Sequence, residues 1–312
     1  MKHILRLGTR GSTLALWQTD WVKKRLAEKY PEVEFQTVII KTTGDKILDS
    51  PLSRIGDKGL FTRELDQALL DGRIDLAVHS MKDVPTQYDA GLTIGAVTER
   101  WDVRDALISR EGKSLDDLPE GAIIATGSLR RKAQLLHLRP DFTIVDIRGN
   151  LQTRLQKFDQ SDWQGMILAT AGLERLNLHE RISQRIPTDI ILPAVGQGCF
   201  AVMLRRNDEA VAEMLQAVHC PEVAFPVFAE RALLRTIEGG CQVPLGAFGE
   251  VQNGGIMLRA CIASLDGKKF VKDQISGPLG QYERLGKSLA EKLIAAGGDE
   301  ILREIRSGID AS

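Results

Sequence analysis

Long apolar runs are missing from this sequence. No segment comes near the ~18–20 consecutive apolar residues that a membrane-spanning helix needs. The first residues, Met1-Lys2-His3-Ile4-Leu5-Arg6, enter strand-like sequence without the apolar stretch of a signal peptide. A cytoplasmic protein with no membrane partner is therefore expected. An excess of either charge is missing too. Lys and Arg total 41 and Asp and Glu total 42, a net charge of −1, which argues against a surface built to seek nucleic acid. Cysteines are few, at 199, 220, 241 and 261. None forms a Cys-x-x-Cys pair or stands beside a helical histidine pair, so no metal site is expected. In a reducing cytosol no disulfide is expected either, and a single functional thiol is the better reading. Phosphate-binding fingerprints are absent: Gly8-Thr9-Arg10-Gly11 is neither a Walker loop nor a Rossmann glycine motif, and Gly196-Gln197-Gly198 is too short. Internal repeats and low-complexity segments are absent as well. His79, His137, His179 and His219 make no recognisable triad with a serine or with Cys241. His137 falls on an apolar helix face and Trp17 and Trp21 on an apolar stripe, so these three are expected to pack rather than to bind.

The composition that remains is that of a globular protein, 43% hydrophobic and 27% charged, on a chain too long for one ordinary core. Two or three domains are expected. The first half alternates strand and helix signals. Residues 4–7 read as a strand, 8–12 as a turn ending in an N-cap, and 14–26 as an amphipathic helix with Leu14, Trp17, Trp21, Val22 and Leu26 near one face. Residues 33–40 read as a strand. Thr62 is placed to cap a helix carrying Leu65, Ala68 and Leu69, which Gly72 stops. Ile74, Leu76 and Val78 then alternate as a strand leading into His79-Ser80-Met81-Lys82-Asp83-Val84-Pro85. The middle repeats this logic, with strands expected over 122–125, 142–147 and 166–169. Helices are expected over 129–138, 151–158 and from about 171. Such alternation predicts mostly parallel sheets that bind ligands beyond the strand C-termini. The last third changes character. A helix follows Pro221, strands over 256–264 and 269–275 join through Asp266-Gly267 as a hairpin, and a helix closes over 282–296, together a small α+β domain.

Polar residues concentrate at the strand-to-helix turns: Arg10 and Ser12, Lys82 and Asp83, Thr126 to Arg131, Arg148 and Asn150. Turns of this kind bring together backbone N–H groups and the positive ends of helix dipoles. Arginine adds a fork that matches carboxylate or phosphate. One run such as Arg130-Arg131-Lys132 is ordinarily a solvated helix face, but several cationic turns at corresponding positions point to an anion cleft. Two arginine charges ~7 Å apart at an effective dielectric near 20 repel by about 2 kcal/mol. Such a cleft is strained when empty and stabilised by a polyanion, and without a phosphate fingerprint polycarboxylates are the stronger candidates. Asp83, beside Lys82, reads either as an ion pair or turn former, or as the carboxylate that holds a developing cation and shuttles a proton. Cys241 follows Gly239-Gly240, just after an apolar run over 229–237 that reads as a helix, with Gly239 suited to the C′ position. A thiol on so tight a connection can project into a cleft, although buried inert cysteines are common.

These motifs, in this order, resemble the hydroxymethylbilane synthases, also called porphobilinogen deaminases. The resemblance rests on Thr9-Arg10-Gly11-Ser12 with Leu14-Ala15-Leu16-Trp17-Gln18, on Gly56-Asp57-Lys58-Gly59-Leu60-Phe61 and on His79 to Pro85. Further along it rests on Gly127-Ser128-Leu129-Arg130-Arg131, Arg148-Gly149-Asn150, Leu192 to Gly198 and Glu238 to Pro244. It implies an α/β fold with two type II periplasmic-binding-protein-like domains and a small C-terminal α+β domain. The implied boundaries are 1–98 with 193–215, 99–192, and 216–312, so that the chain crosses back into the first domain near Leu192. It also implies a monomer carrying one dipyrromethane, attached by a thioether to Cys241, on which four porphobilinogens are joined with loss of ammonia. Asp83 matches the family's catalytic carboxylate, which steadies the cationic azafulvene and pyrrole nitrogens and assists proton transfer. Lys82, Asp83, Thr126, Ser128, Arg130, Arg131 and Arg148 match cofactor-binding positions. Arg10, Ser12, Gln18, Lys58, Phe61, Ser80, Arg148, Arg154, Arg175 and Gln197 match substrate-binding positions. Gly11 and Gly127 stand where relatives often carry larger or hydroxyl residues, and Arg54 replaces a common lysine. Two rival readings are a two-lobed binding protein for a polycarboxylate and a cysteine acyltransferase, the latter lacking an identifiable base.

Overall fold

The computed structural model describes residues 4–46, 59–238 and 243–310. Along the chain run β1 (Ile4–Thr9), α1 (Thr13–Lys29), β2 (Glu34–Ile39), α2 (Thr43–Lys46), α3 (Arg63–Leu70), β3 (Leu76–Ser80) and β4 (Leu92–Val97). Then come β5 (Asp105–Ser109), β6 (Ile123–Ala125), α4 (Leu129–Leu138), β7 (Thr143–Val145), α5 (Leu151–Asp159), β8 (Gly165–Ala169), α6 (Thr170–Arg175) and β9 (Gln184–Ile186). The last part holds β10 (Phe200–Arg205), α7 (Glu209–Met214), α8 (Pro221–Glu238), β11 (Leu245–Gln252), β12 (Gly255–Ala263), β13 (Phe270–Pro278), α9 (Tyr282–Leu293) and α10 (Asp299–Asp310). The described residues form two compact units, one of 4–46, 59–101 and 196–224, the other of 102–195, 225–238 and 243–310.

The first unit holds a five-stranded sheet in the order β2-β1-β3-β10-β4. β1 pairs parallel to β2 and β3, whereas β10 runs antiparallel to both β3 and β4. Four strands thus share one direction, as the expectation of a mostly parallel sheet has it, and β10 is the exception. That strand arrives from distant sequence, where no local pattern announces its partner. Its core packs Leu5, Leu7, Phe35, Leu76, Val78, Phe200, Val202 and Leu204 against Val22 and Leu26 of α1. Truncating such a side chain to alanine typically costs about 2–5 kcal/mol. Trp17 and Trp21 pack edge-on against Trp101, at 6.2 and 5.1 Å, and against Phe200, so they are packing residues as expected. The buried face of α1 differs in detail from the apolar stripe, because Gln18 and Thr19 are buried along with Val22 and Leu26. Thr62 takes the N-cap position of α3, but its hydroxyl makes no capping bond. Gly72 ends this segment with φ +69°, the left-handed backbone that favours glycine.

The second unit holds two sheets. One has the order β7-β6-β8-β5-β9, with β6 parallel to β7 and β8, and β5 antiparallel to β8 and β9. Alternate residues of its strands bury both faces, as a covered sheet requires. Leu107, Ile124 and Ile167 pack with Leu135 of α4, while Ala106, Ile108, Met166 and Leu168 pack with Leu155 and Phe158 of α5. The other sheet is the antiparallel meander β11-β12-β13, covered by α8, α9 and α10. The expected hairpin joins β12 and β13, with Gly267 at φ +74° and its amide donating to the Ser264 carbonyl at 2.9 Å. The C-terminal helix expected to run to about 296 is α-helical to Leu293 and continues as a π turn over Ile294–Gly298. Gly297 adopts φ +110°, and the chain turns into α10. No helix of the described residues is long and apolar enough to cross a membrane.

Candidate active site

In the first unit the polar residues stand where β1 and β3 end. Ser12 caps α1, its Oγ accepting the Ala15 amide at 3.3 Å. The hydroxyl proton therefore remains available to a ligand oxygen. Arg10 lays its guanidinium over the Phe61 ring at 4.1 Å. It also forks onto Asp45, with Nε 3.1 Å from Oδ1 and Nη2 on the same oxygen. Thr42 adds its hydroxyl to Asp45 at 2.8 Å. Burial pushes the Asp45 carboxyl up, but hydrogen bonds from Arg10 and Thr42 and the charge of Arg10 outweigh it and hold the group below its ordinary range. Both partners are about a quarter exposed, at 23% and 28%. Such a pair contributes about 0–1 kcal/mol, so a ligand carboxylate can take the place of Asp45.

Gln18, buried on α1, donates from Nε2 to Ser80 Oγ at 2.9 Å. A single helical turn, Met81–Asp83, follows β3 and leaves Lys82 and Asp83 exposed. Lys82 Nζ donates to Oε1 of the buried Gln197 at 3.3 Å. Arg10, Ser12, Gln18, Phe61, Ser80 and Asp83 line one open depression, together with Leu14, Ala15, Val78 and His79. His79 is buried. Desolvation, and secondarily the charge of Arg10, lower its pKa to about 4, so the ring is neutral at physiological pH.

In the second unit the site residues follow β6, β7 and β8. Thr126 is buried, and its Oγ1 accepts the Ser128 amide at 3.3 Å. Ser128 caps α4 by accepting the Arg131 amide at 3.4 Å. Arg130 and Arg131 thus occupy the first helical turn, where a cation meets the positive end of the dipole. Both are nevertheless buried, at 5% and 6% exposure, because each donates to Asp105. Arg130 Nη1 and Arg131 Nη2 each lie 2.8 Å from one of its oxygens. Burial opposes the charge on Asp105, but the charges of both arginines overcome it and hold the carboxyl far below its usual range. Burial in turn draws the Arg130 guanidinium down, against the charge of Asp105. Each attraction is worth about 4 kcal/mol at ~4 Å and an effective dielectric near 20, more than the repulsion between the arginines.

A Cβ at Gly127 would lie 2.7 Å from the Ile147 carbonyl oxygen, so the larger residues expected here in relatives need a small shift of this turn. Asn150 caps α5 by accepting the Thr153 amide at 2.9 Å, and Arg154 Nε donates to the Gly149 carbonyl at 2.9 Å. Arg148 is half-buried after β7, and Arg175 is buried on α6. Arg131 Nε and Arg148 Nη1 are buried donors with no hydrogen-bond acceptor among the described residues. Orphaned donors of this kind are what a carboxylate-bearing group would satisfy.

Lys58, Arg54, Gly239 and Cys241 lie outside the described residues. Of the other cysteines, Cys199 and Cys261 are buried and Cys220 is half-buried. Burial pushes the Cys261 thiol up to about 11, which leaves it unreactive. His137 packs as expected, stacked on Phe270 at 4.2 Å with Nδ1–H donating to the Gly267 carbonyl at 2.9 Å. The residues that sequence reasoning did not select are Asp45, Asp105 and, as a pocket-lining group, His79. Asp45 and Asp105 carry no motif signal, because their arginine partners lie 35 and 25–26 residues away.

Two family descriptions match the chain: "Porphobilinogen deaminase, dipyromethane cofactor binding domain" over residues 5–213, and "Porphobilinogen deaminase, C-terminal domain" over residues 224–295. The porphobilinogen deaminase of Desulforudis audaxviator is 52% identical over 309 residues, covering 99% of this chain and 100% of its own. That of Geobacter sulfurreducens is 51% identical over 301 residues, covering 96% and 94%. Among solved structures, the periplasmic aliphatic sulphonate binding protein SsuA from Escherichia coli is similar with a TM-score of 0.42 at 17% identity, covering 76% of this chain and 71% of that one.

Proposed function

The chain belongs to the porphobilinogen deaminase family, and we propose that Asp83 is its catalytic carboxylate and that its arginine-bearing turns hold the pyrrole carboxylates. The reaction is the head-to-tail joining of four porphobilinogens, each losing ammonia, followed by release of the chain by water, which supplies the hydroxyl of linear hydroxymethylbilane, a transferase step of tetrapyrrole biosynthesis. A bound dipyrromethane supplies the primer pyrrole to which the substrate is added. The orphaned donors Arg131 Nε and Arg148 Nη1 fit a group rich in carboxylates. Thr126, Ser128, Arg130, Arg131 and Arg148 would hold it with Lys82 and Asp83, and Cys241 would carry it.

The observation that carries the reading for the chemical step is the depression that brings Asp83 together with Arg10, Ser12, Gln18, Phe61 and Ser80. Arg10 receives a substrate carboxylate in exchange for Asp45, while the Ser12 hydroxyl donates its free proton to a second oxygen. The Phe61 ring, 4.1 Å from the guanidinium carbon, holds the Arg10 cation in place by a cation–π contact. Lys58, Arg148, Arg154, Arg175 and Gln197 complete the substrate set. As ammonia departs, positive charge develops on the substrate pyrrole, and the exposed Asp83 carboxylate stabilises it. The same carboxylate then receives the proton released when the new bond forms and the ring regains aromaticity.

The division into 1–98 with 193–215, 99–192 and 216–312 belongs to the same reading, as do a cytoplasmic location and a monomeric state. A non-catalytic binding protein is not favoured by matches that run on through residue 295. The deciding measurement is the intact mass of the purified chain beside its Cys241→Ala variant. A mass excess of two linked pyrroles in the parent, absent from the variant, is expected. An unmodified mass in an active parent would sink the reading.

A further inference from the structure

Asp105 is the first residue of β5 and is fully buried, opposite Ala169 at the C-terminal end of β8. One oxygen takes Arg130 Nη1 and the other Arg131 Nη2, both at 2.8 Å. Two protein carbonyls steady the same guanidiniums: Leu192 accepts from Arg130 Nη1 at 2.6 Å and Ile167 from Arg131 Nη1 at 3.1 Å. Among the described residues no second carboxylate pairs with either arginine. These three groups therefore carry two positive charges and one negative charge in the interior, with Arg131 Nε still lacking an acceptor.

The first unit provides a control of the same kind. Asp75 is also fully buried and also pairs with two arginines, Arg6 at 3.1 Å and Arg205 at 3.1 Å. There Asp208 lies 3.0 Å from Arg205, so two cations meet two anions. The Asp105 group is one anion short of that balance, and it stands at the strand end where Thr126 and Ser128 also gather.

We infer that Asp105 is a positioning residue for the cofactor site, the resident counter-charge that lets Arg130 and Arg131 fold side by side before a pyrrole carboxylate supplies the missing anion. The inference rests on the functional reading above. Its consequence is thermodynamic coupling. Once a ligand carboxylate is in place, the arginines depend less on Asp105, because two anions have become available where there was one. A carboxylate that served only the fold would matter equally with and without the cofactor.

The test compares melting temperatures of full-length protein in four forms: loaded parent, loaded Asp105→Asn, and each in a Cys241→Ala background that cannot carry the group, with loading read from intact mass. Asp105→Asn is expected to lower the melting temperature of the Cys241→Ala protein at least twice as much as that of the loaded protein. Equal losses, or a larger loss in the loaded form, overturn the inference. Should Asp105→Asn fail to fold or to load, Asp105→Asn/Arg130→Gln in the Cys241→Ala background decides. It restores the charge count and is expected to regain part of the lost melting temperature or soluble yield, and no recovery overturns the inference. Absence of the pyrrole mass from the parent would instead refute the functional reading, whereas its presence with equal losses refutes only the role of Asp105.

Discussion

The sheets β2-β1-β3-β10-β4 and β7-β6-β8-β5-β9 share one strand pattern, with a single antiparallel strand in the fourth place, yet they spend their buried charge differently. In the first, Asp75 sits at the N-terminal end of β3, the end away from Asp83, and its cluster with Arg6, Arg205 and Asp208 is balanced. In the second, Asp105 sits level with the C-terminal end of β8 and its cluster is one anion short. The same topology can therefore hold a buried aspartate as scaffold or as part of a binding site, and the position along the strand separates the two. Ligands of parallel α/β sheets bind beyond the strand C-termini. A buried charge left incomplete there has a possible external partner, and one at the opposite end does not.

Four substitutions in the first unit break or sharpen this contrast. The largest effect is expected from Asp83→Asn, which should lower kcat by about 10²–10⁴-fold while leaving the melting temperature and the cofactor mass unchanged. Steady-state kinetics at the parent's rate would remove Asp83 from its assigned role. Asp75→Asn should do the reverse. Asp75 is buried, but Arg6 and Arg205 are partly solvated and Arg205 keeps Asp208. The expected cost is therefore about 2–3 kcal/mol, below that of a fully buried pair, readable in urea denaturation, with kcat per folded molecule retained. A loss of turnover without a loss of stability would erase the distinction between scaffold and site.

His79→Gln addresses pH. With a folded pKa of about 4 against 6.5 for the free side chain, His79 is neutral in the native state and takes up a proton on unfolding below pH 6.5. Its contribution to stability is complete above that value and is lost as pH falls toward 4. Between pH 7 and pH 5 the parent should lose about 2 kcal/mol through this group, and the variant should lack that part of the slope. An unchanged slope would mean that His79 does not govern acid stability. The smallest effect belongs to Asp45→Asn, under about 1 kcal/mol in stability and diminishing with added salt, because the Arg10 pair is partly solvated. A cost comparable to that of Asp75→Asn would show that Arg10 is structurally committed and not available to exchange partners.

Much of the scaffold was legible in the sequence. The helix expected over 129–138 is α4, the caps at Ser12 and Ser128 are made as their positions predict, and Asn150, expected only in a turn, caps its helix too. The Asp266-Gly267 turn joins two strands. The candidate site was legible to the extent that motifs mark it: six of the chosen residues line one depression in the first unit. What the motifs did not reveal was the occupation of the arginines. Arg130 and Arg131 read as a solvated run or an anion site, and the structure adds that they are buried on a carboxylate from another strand. Thr62 shows a smaller failure of the same kind, a residue in the cap position whose hydroxyl caps nothing.

The sequence by itself determined the local elements, their order and the family, because helical and strand periods, caps and turn residues act over a few neighbouring positions. It also determined that no excess of either charge would dominate the chain as a whole. Only the tertiary structure decided that β5 and β10 enter their sheets antiparallel, and which aspartate faces which arginine. Those outcomes depend on strand order, which brings residues 25 to 130 positions apart within hydrogen-bonding distance. Whether a buried ion group is complete is a count over such distant partners, and no stretch of sequence contains all of them.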